Sequence, residues 1–335
     1  MQKIIIRVFI CAFFLAGCSA SQPQKSRPDN LPIMETIIED AAKPPLTLAL
    51  TPFQTNTPIG TPHVLPSPTP GTIVQLGLDK PDGQVNILLL GSDYRPKKGY
   101  RTDVIMVLSL NPDKGTATLT SFPRDLYVNI PGQGMNRINA AQEIGGFELT
   151  AATLEDIFDV TVDYYIMTNF SGFKNIVDTL GGITVYASEE LTDTCDLPQA
   201  VDKICHISVG NNVMNGATAL WYVRSRETTN DFDRTRRAQE VITAIFKKAM
   251  SLDAINRGPE LYDLFITSVE SNLMMEKILQ LLPLSTKIFE DPSLVKRYAI
   301  GPENVTHYFV SDRNMMVLIP DPNSISEIIR QAFYQ

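Results

Sequence analysis

The sequence predicts an α/β domain: a central, mostly mixed β-sheet flanked by helices. Three observations lead there. The runs "VNILLLG" from Val85 and "DVIMVLSL" from Asp103 are apolar and rich in branched residues, as in central strands covered on both faces. Further strands then alternate with amphipathic helical segments, the pattern of a layered α/β domain. The chain has 335 residues, 44% of them hydrophobic, enough for one large domain or two small ones.

The first element is not part of that domain. "MQKIIIRVFICAFFLAGCSAS" opens with Lys3 and Arg7 around the start of an apolar stretch ending at Leu15. The stretch is short for a bilayer span and fits the apolar region of a signal peptide. "LAGC", with small residues before the cysteine, resembles a bacterial lipobox. Residues 1–18 then read as a lipoprotein signal with Cys18 the lipidated residue, and an uncleaved N-terminal anchor is the alternative. Both place the remainder outside the cytoplasm, tied to a membrane. Residues 19–84 change composition. Proline and threonine dominate "PPLTLALTPFQTNTPIGTPHVLPSPTPGT", which cannot bury enough apolar surface to fold and favours extended conformers. That segment reads as a disordered tether, and residues 85–335 as the folded domain.

Within the domain, "TATLTSF" alternates and reads as a third strand, "LTAATLEDIF" as a helix and "DYYIMTNF" as a strand. "SGFKNIVDTLGG" is a marked helix. Ser171 is its expected cap, Phe173, Ile176, Val177 and Leu180 form its stripe, and Gly181 ends it. "ITVYAS" follows as a strand, then helices around "GATALWYVRSR" and "DRTRRAQEVITAIFKKAM". The last part carries helical periodicity in "LYDLFITSV" and "MMEKILQLL", a strand in "THYFVSD" and a closing helix in "SISEIIRQAF". No repeat with a period of tens of residues is present.

Of four cysteines, Cys11 and Cys18 belong to the leader. Cys195 and Cys205 flank a polar loop, and an even pair in an oxidising compartment reads as a disulfide. A metal site is the weaker reading, because His206 is the sole histidine nearby. The formal charge of −8 and acidic pI argue against nucleic acid as a partner.

Three clusters can carry chemistry. Asp93 follows the first strand and Asp103 opens the second, so the intervening loop returns both to one sheet end, where ligand sites of α/β sheets gather. Two carboxylates there can hold a hard cation such as Mg²⁺ or Mn²⁺ with phosphate oxygens completing the shell; surface ion pairs with Arg95 and Arg101 fit the same spacing. "SFPRD" places Arg124 and Asp125 directly after the third strand, which on its own is equally a strand-exit salt bridge. Arg224 and Arg226 end one helix. On the next, Arg234 falls in register with Val241 and Ile245 and so points where the apolar stripe points, a position that needs an anion or a carboxylate such as Asp231; a plain basic helix face paired with Glu227, Asp231 and Asp233 fits equally. Arginine's planar fork suits phosphate, so the clusters together would neutralise a diphosphate. The three histidines are too scattered for a Ser–His–Asp arrangement, and no Gly-Lys-Ser/Thr phosphate loop exists.

In order and spacing, "NILLLGSDYR", "YRTDVIMVLSLNPDKGTATLTSFPRDLYVNIPG", "NRINAAQEIGG", "VDYYIMTNFSGFKNIVDTLGGITV", "MNGATALWYVRSR" and "DFDRTRRAQEV" resemble the LytR–CpsA–Psr family over about Val85 to Met250. The resemblance implies an apolar tunnel holding a polyprenyl chain. It also implies transfer of a glycopolymer from a polyprenyl-pyrophosphate carrier to a cell-wall acceptor, peptidoglycan above all, with Mg²⁺ assisting. On matching positions, Asp93 and Asp103 would be the metal-side carboxylates and Arg101, Arg124, Arg224, Arg226 and Arg234 the phosphate contacts. Arg95, Asp125 and Asp231 would be neighbours of the phosphate site. Ala238 departs from the family pattern, which often has a glutamine there, and Gln239 lies about 100° further round the helix. The tunnel would be lined by "NFSGFKNIVDTL" and "VITAIF", stripes equally expected of ordinary core. A polyprenyl-phosphate binding or pyrophosphatase module without acceptor transfer is the alternative. A transcriptional regulator is opposed by the exported N-terminus and the acidic pI.

Overall fold

Strand β1 (Val85–Ser92) carries apolar residues at successive positions and is covered on both faces, Leu88 and Leu90 entering one core and Ile87 the other, while a strand pairs with it on each side. The computed structural model describes residues 76–93, 101–251 and 257–334. All belong to the unit His63–Gln335; none belongs to the other unit, Met1–Pro62. The leader with Cys18, the tether up to residue 75, and Arg95 lie outside the described residues.

In chain order, β1 is followed by β2 (Thr102–Asn111) and β3 (Thr116–Ser121) as an antiparallel meander. A hairpin of β4 (Tyr127–Ile130) and β5 (Gly134–Arg137) leads to helix α1 (Ala140–Phe158). Strand β6 (Tyr164–Asn169) returns parallel to β1, and α2 (Phe170–Thr179) follows at once. Strands β7 (Ile183–Ala187), β8 (Leu191–Thr194), β9 (Ile204–Ile207) and β10 (Gly210–Met214) form two small ladders, β7 with β10 and β8 with β9. Then come α3 (Gly216–Arg224), α4 (Asp231–Ala249), α5 (Gly258–Ser268), β11 (Glu270–Ser271), α6 (Met275–Glu290) and β12 (Val295–Ala299). The hairpin of β13 (Val305–Val310) and β14 (Met315–Pro320) and the helix α7 (Pro322–Phe333) end the chain.

The main sheet has the order β11-β6-β1-β2-β3-β12. It is mixed: β6 is parallel to β1 and β12 to β3, while the meander is antiparallel. Side-chain alternation divides it. Leu88, Leu90, Ile105 and Val107 pack with Leu154 and Phe158 of α1 and Ile325 and Ile329 of α7. Ile87, Leu110 and Ala117 face Leu281, Leu284 and Ile288 of α6, and Met106 and Leu119 face Ala238 of α4. Each fully buried aliphatic side chain contributes about 1.5–3 kcal/mol, so the two cores together outweigh any single polar contact described below.

Several local expectations change. Asn169, not Ser171, caps α2: its extended backbone lets the side-chain oxygen accept from both the Ser171 and Gly172 N–H groups, so the helix begins two residues earlier. Helix α1 starts well before Leu149 and is bent where Gly146 takes φ 66°, a conformation other residues rarely adopt. Residues ahead of Val85 also pack: Lys80 pairs with Asp163 at 2.7 Å and Leu76 lies against the core.

Candidate active site

The ladder registers bring three strand ends together. Ser92 of β1 pairs with Asn169 at the end of β6 and, across a bulge, with Thr102 at the start of β2. Asp93 and Asp103 therefore emerge at one end of the sheet. Asp93 is buried; its Oδ1 accepts from the Arg101 N–H at 2.7 Å and its Oδ2 lies 3.3 Å from the Arg101 guanidinium. Asp103 Oδ1 lies 2.5 Å from Arg124 Nη1. The turn after β3 supplies Arg124, whose Nε also stands 3.4 Å from Asp125 and 3.3 Å from Asp231.

Helix α4 supplies the other side. Asn230 caps it, accepting from the N–H groups of Phe232 and Asp233, while the Asp233 carboxylate accepts from the Asn230 N–H. This fixes the first turn, so Asp231 reaches Arg234 at 2.9 Å. Burial would lower the Arg124 pKa, but Asp231, Asp125 and Asp103 outweigh it and hold the guanidinium above its ordinary value. Arg234 lies below its ordinary value because burial dominates and Asp231 offsets it only in part. Both stay charged at neutral pH. Arg224 is exposed, with its guanidinium 4.3 Å from the centre of the Phe170 ring.

These side chains ring the mouth of a cavity of about 310 Å³. Asp93, Arg101, Asp103, Arg124, Arg224, Arg226 and Arg234 line it at the charged end. Leu89, Ile166, Phe173, Ile176, Val241, Ile242 and Ile245 line its apolar body. Seven side chains singled out from the sequence thus meet in one place. Asp125 and Asp231 do not line the cavity; they stand behind Arg124 and Arg234 and hold them. Cys195 and Cys205 form a disulfide across the β8–β9 hairpin, with Cα atoms 5.7 Å apart, and line no part of the cavity.

Two residues of consequence were not read from the sequence. Arg137 reaches Asp125 at 3.2 Å and so completes the carboxylate–guanidinium network. Arg237 is 1% exposed and donates to the Ser225 carbonyl at 2.5 Å and to Thr229 Oγ1 at 2.9 Å, fixing the loop that carries Arg226. Its signal was the basic cluster "RTRR", whose arginines cannot all face the mouth; of the three, Arg234 alone lines it. Ala238 lines the cavity, whereas Gln239 turns to Ser121 Oγ and the Tyr298 carbonyl.

For a hard cation, the donor set is two carboxylates at one cavity mouth. Among the described residues no group of three or more His, Cys, Asp or Glu is placed to hold a metal ion. Two carboxylates with phosphate and water oxygens suit Mg²⁺ better than a metal that needs a complete protein cage.

Residues 63–313 match the LytR_cpsA_psr family model, about three quarters of the chain. The chain belongs to the LytR_cpsA_psr family. The polyisoprenyl-teichoic acid–peptidoglycan teichoic acid transferase TagT of Bacillus subtilis is 30% identical over 236 residues, 69% of this chain and 73% of that protein. The enzyme of the same name TagU from Oceanobacillus iheyensis is 34% identical over 214 residues, 61% of this chain and 64% of that protein. Among solved structures, B. subtilis TagV superposes with a TM-score of 0.63 at 23% identity, covering 75% of this chain and 98% of that one, a likeness of fold. TagT bound to LIIa-WTA gives a TM-score of 0.57 at 25% identity, covering 78% and 96%.

Proposed function

We propose that this family member transfers a glycopolymer from a polyprenyl-pyrophosphate carrier to a hydroxyl of the cell wall, peptidoglycan above all. The observation that carries this reading is the cavity itself: guanidinium and carboxylate groups at its mouth, aliphatic side chains along its body. An amphiphile with a diphosphate head and an isoprenoid tail matches both halves. The names of TagT and TagU, which act on polyisoprenyl-linked teichoic acid and peptidoglycan, support it.

In this mechanism the polyprenyl chain lies along Ile166, Phe173 and Ile245, and the guanidinium groups of Arg101, Arg124, Arg224, Arg226 and Arg234 hold the diphosphate oxygens. Asp93 and Asp103 would hold Mg²⁺ or Mn²⁺, which when bound adds to the neutralisation of those oxygens. The acceptor hydroxyl oxygen forms a bond to the sugar-linked phosphorus, the phosphoanhydride bond breaks, and polyprenyl phosphate leaves. The hydroxyl proton passes to Asp103, whose side chain is 24% exposed while that of Asp93 is 3% exposed. Positioning and charge neutralisation supply most of the rate. By the leader sequence, the reaction takes place outside the cytoplasm with the chain anchored through a lipid on Cys18. Among the described residues no helix is long and apolar enough to cross a membrane.

The test supplies purified protein with a polyprenyl-pyrophosphate-linked glycopolymer and a peptidoglycan acceptor. Polymer-modified wall and polyprenyl phosphate should form together, and Asp103→Asn should abolish both. A second reading, hydrolysis of the carrier without acceptor transfer, gains support from Ala238, which puts a methyl group where the family often has a glutamine. Phosphate release with no polymer-modified wall would favour it and refute transfer.

A further inference from the structure

Helix α4 has two faces at work. Arg234, Ala238, Val241 and Ile245 turn to the cavity. Arg236, Glu240, Thr243 and Lys247 fall roughly half a turn away, at about 100° per residue, and wall a second hollow. Its other wall is the outward face of β7, with Thr184, Tyr186 and, just beyond the strand, Ser188; Arg297 of β12 joins the lining. The hollow measures about 730 Å³, more than twice the volume of the first. From Arg236 to Lys248 the helix rises roughly 18 Å, so the hollow is an elongated groove.

The charges of the groove do not cancel. Glu240 accepts from Ser188 Oγ at 2.6 Å and Tyr222 Oη at 2.7 Å and pairs with Arg236 at 3.0 Å, and Arg236 also reaches Glu189 at 3.1 Å. Those groups answer one another. Lys247, Lys248 and Arg297 are exposed and, among the described residues, pair with no carboxylate; Arg297 donates to Thr243 Oγ1 at 3.1 Å. Beside them stands Tyr186, 62% exposed, with hydroxyl and amide side chains from Thr184, Ser188 and Asn211 around it. A bare aromatic ring offers a flat apolar face and a polar tip. A row of hydroxyls and amides offers hydrogen bonds, and lysines meet anions as point charges.

We propose that this groove binds a saccharide chain bearing phosphate or carboxylate groups. The elongated shape fits a strand, the ring and hydroxyls fit sugar, and the three cations fit its anions. A flat bilayer surface would not reach cations set along a concave wall. The groove lies across α4 from the cavity, so the inference stands or falls apart from the transfer reaction.

The test measures binding of the intact protein to a short ribitol-phosphate oligomer, to oligogalacturonate, to a neutral chitin oligosaccharide and to vesicles of anionic phospholipid. Pyrophosphate is present throughout to saturate the cavity mouth. One or both anionic oligomers should bind in a salt-sensitive manner, and their comparison tells phosphate from carboxylate. Lys247→Glu with Lys248→Glu should weaken that binding by about tenfold or more, and Tyr186→Ala by several-fold, with unfolding midpoints unchanged. If the charge reversals unfold the protein, Lys247→Gln with Arg297→Gln should weaken binding in the same direction. Binding that survives these variants, equal binding of the neutral oligosaccharide, or binding to vesicles alone would overturn the proposal.

Discussion

Removing the Arg124 guanidinium should cost stability as well as activity. The Arg124 side chain is 12% exposed and stands within 2.5–3.4 Å of Asp103, Asp125 and Asp231. Breaking a fully buried ion pair by deleting one partner costs about 3–5 kcal/mol. Here the loss is smaller, because Asp125 keeps Arg137 at 3.2 Å and Asp231 keeps Arg234 at 2.9 Å. Asp103 alone loses its ion-pair partner, and it is partly solvated. An expected loss of about 2–3 kcal/mol follows, or roughly 4–12 °C in the unfolding midpoint of a domain this size. Transfer should fall by about 10²–10³-fold if the same guanidinium steadies the diphosphate. Urea unfolding of Arg124→Met, Asp103→Asn and the double variant measures the coupling. The double variant should regain part of the lost stability and none of the activity. An unchanged midpoint in Arg124→Met, or additive losses in the double variant, would refute the account of the network.

Arg237→Met should lose about 3 kcal/mol in urea unfolding, since it empties a buried site that donates to Ser225, Thr229 and the Asp233 carbonyl. It should also raise the KM for the carrier by loosening the Arg226 loop; an unaltered KM beside lowered stability would separate the two roles. Replacing Cys195 and Cys205 by alanine opens a loop with a sequence separation of 10 and should cost about 2–3 kcal/mol while transfer persists, as differential scanning calorimetry and a product assay would check. Burial would raise the Asp193 pKa, but hydrogen bonds from Ser225 Oγ and from the N–H groups of Thr194 and Glu227 hold it below its ordinary value. A lowered folded pKa contributes stability above the unfolded value, lost as pH falls through the folded one. The stability gap between the protein and Asp193→Asn should therefore be full at neutral pH and shrink below about pH 4. A gap independent of pH would refute that.

The sheet was legible where strands are long and buried. The β1 and β2 runs announced their covering on both faces because both cores draw on alternate residues of the same strand. The β4–β5 and β8–β9 ladders and β10 were less legible, since strands of four or five residues carry too few alternations to stand out, although β7 was read from "ITVYAS". The parallel edge strand β12 was missed for a related reason: "VKRYA" is half exposed and is held by its pairing to β3, not by an apolar pattern. At the site, residue types announced charge neutralisation, but not which charges do it. The Asp231–Arg234 pair follows from i, i+3 spacing on α4, but that Asp231 also faces Arg124 depends on where α4 meets the turn after β3, and no spacing within one segment encodes that contact.

That contact divides the arginines into two kinds. Arg234 is buried, Arg124 is largely so, and both are already answered by carboxylates, so a bound diphosphate would share them with Asp103, Asp125 and Asp231 and gain directional hydrogen bonds more than net charge. Arg224 and Arg226 are exposed, line the same mouth and, among the described residues, pair with no carboxylate. Unpaired exposed cations attract an anion from a distance, while fixed and paired ones orient it once it arrives. Added salt should therefore weaken carrier capture through Arg224 and Arg226 more than it disturbs the alignment held by Arg124 and Arg234. The order of these effects follows from burial: the paired guanidinium groups sit where screening ions reach least.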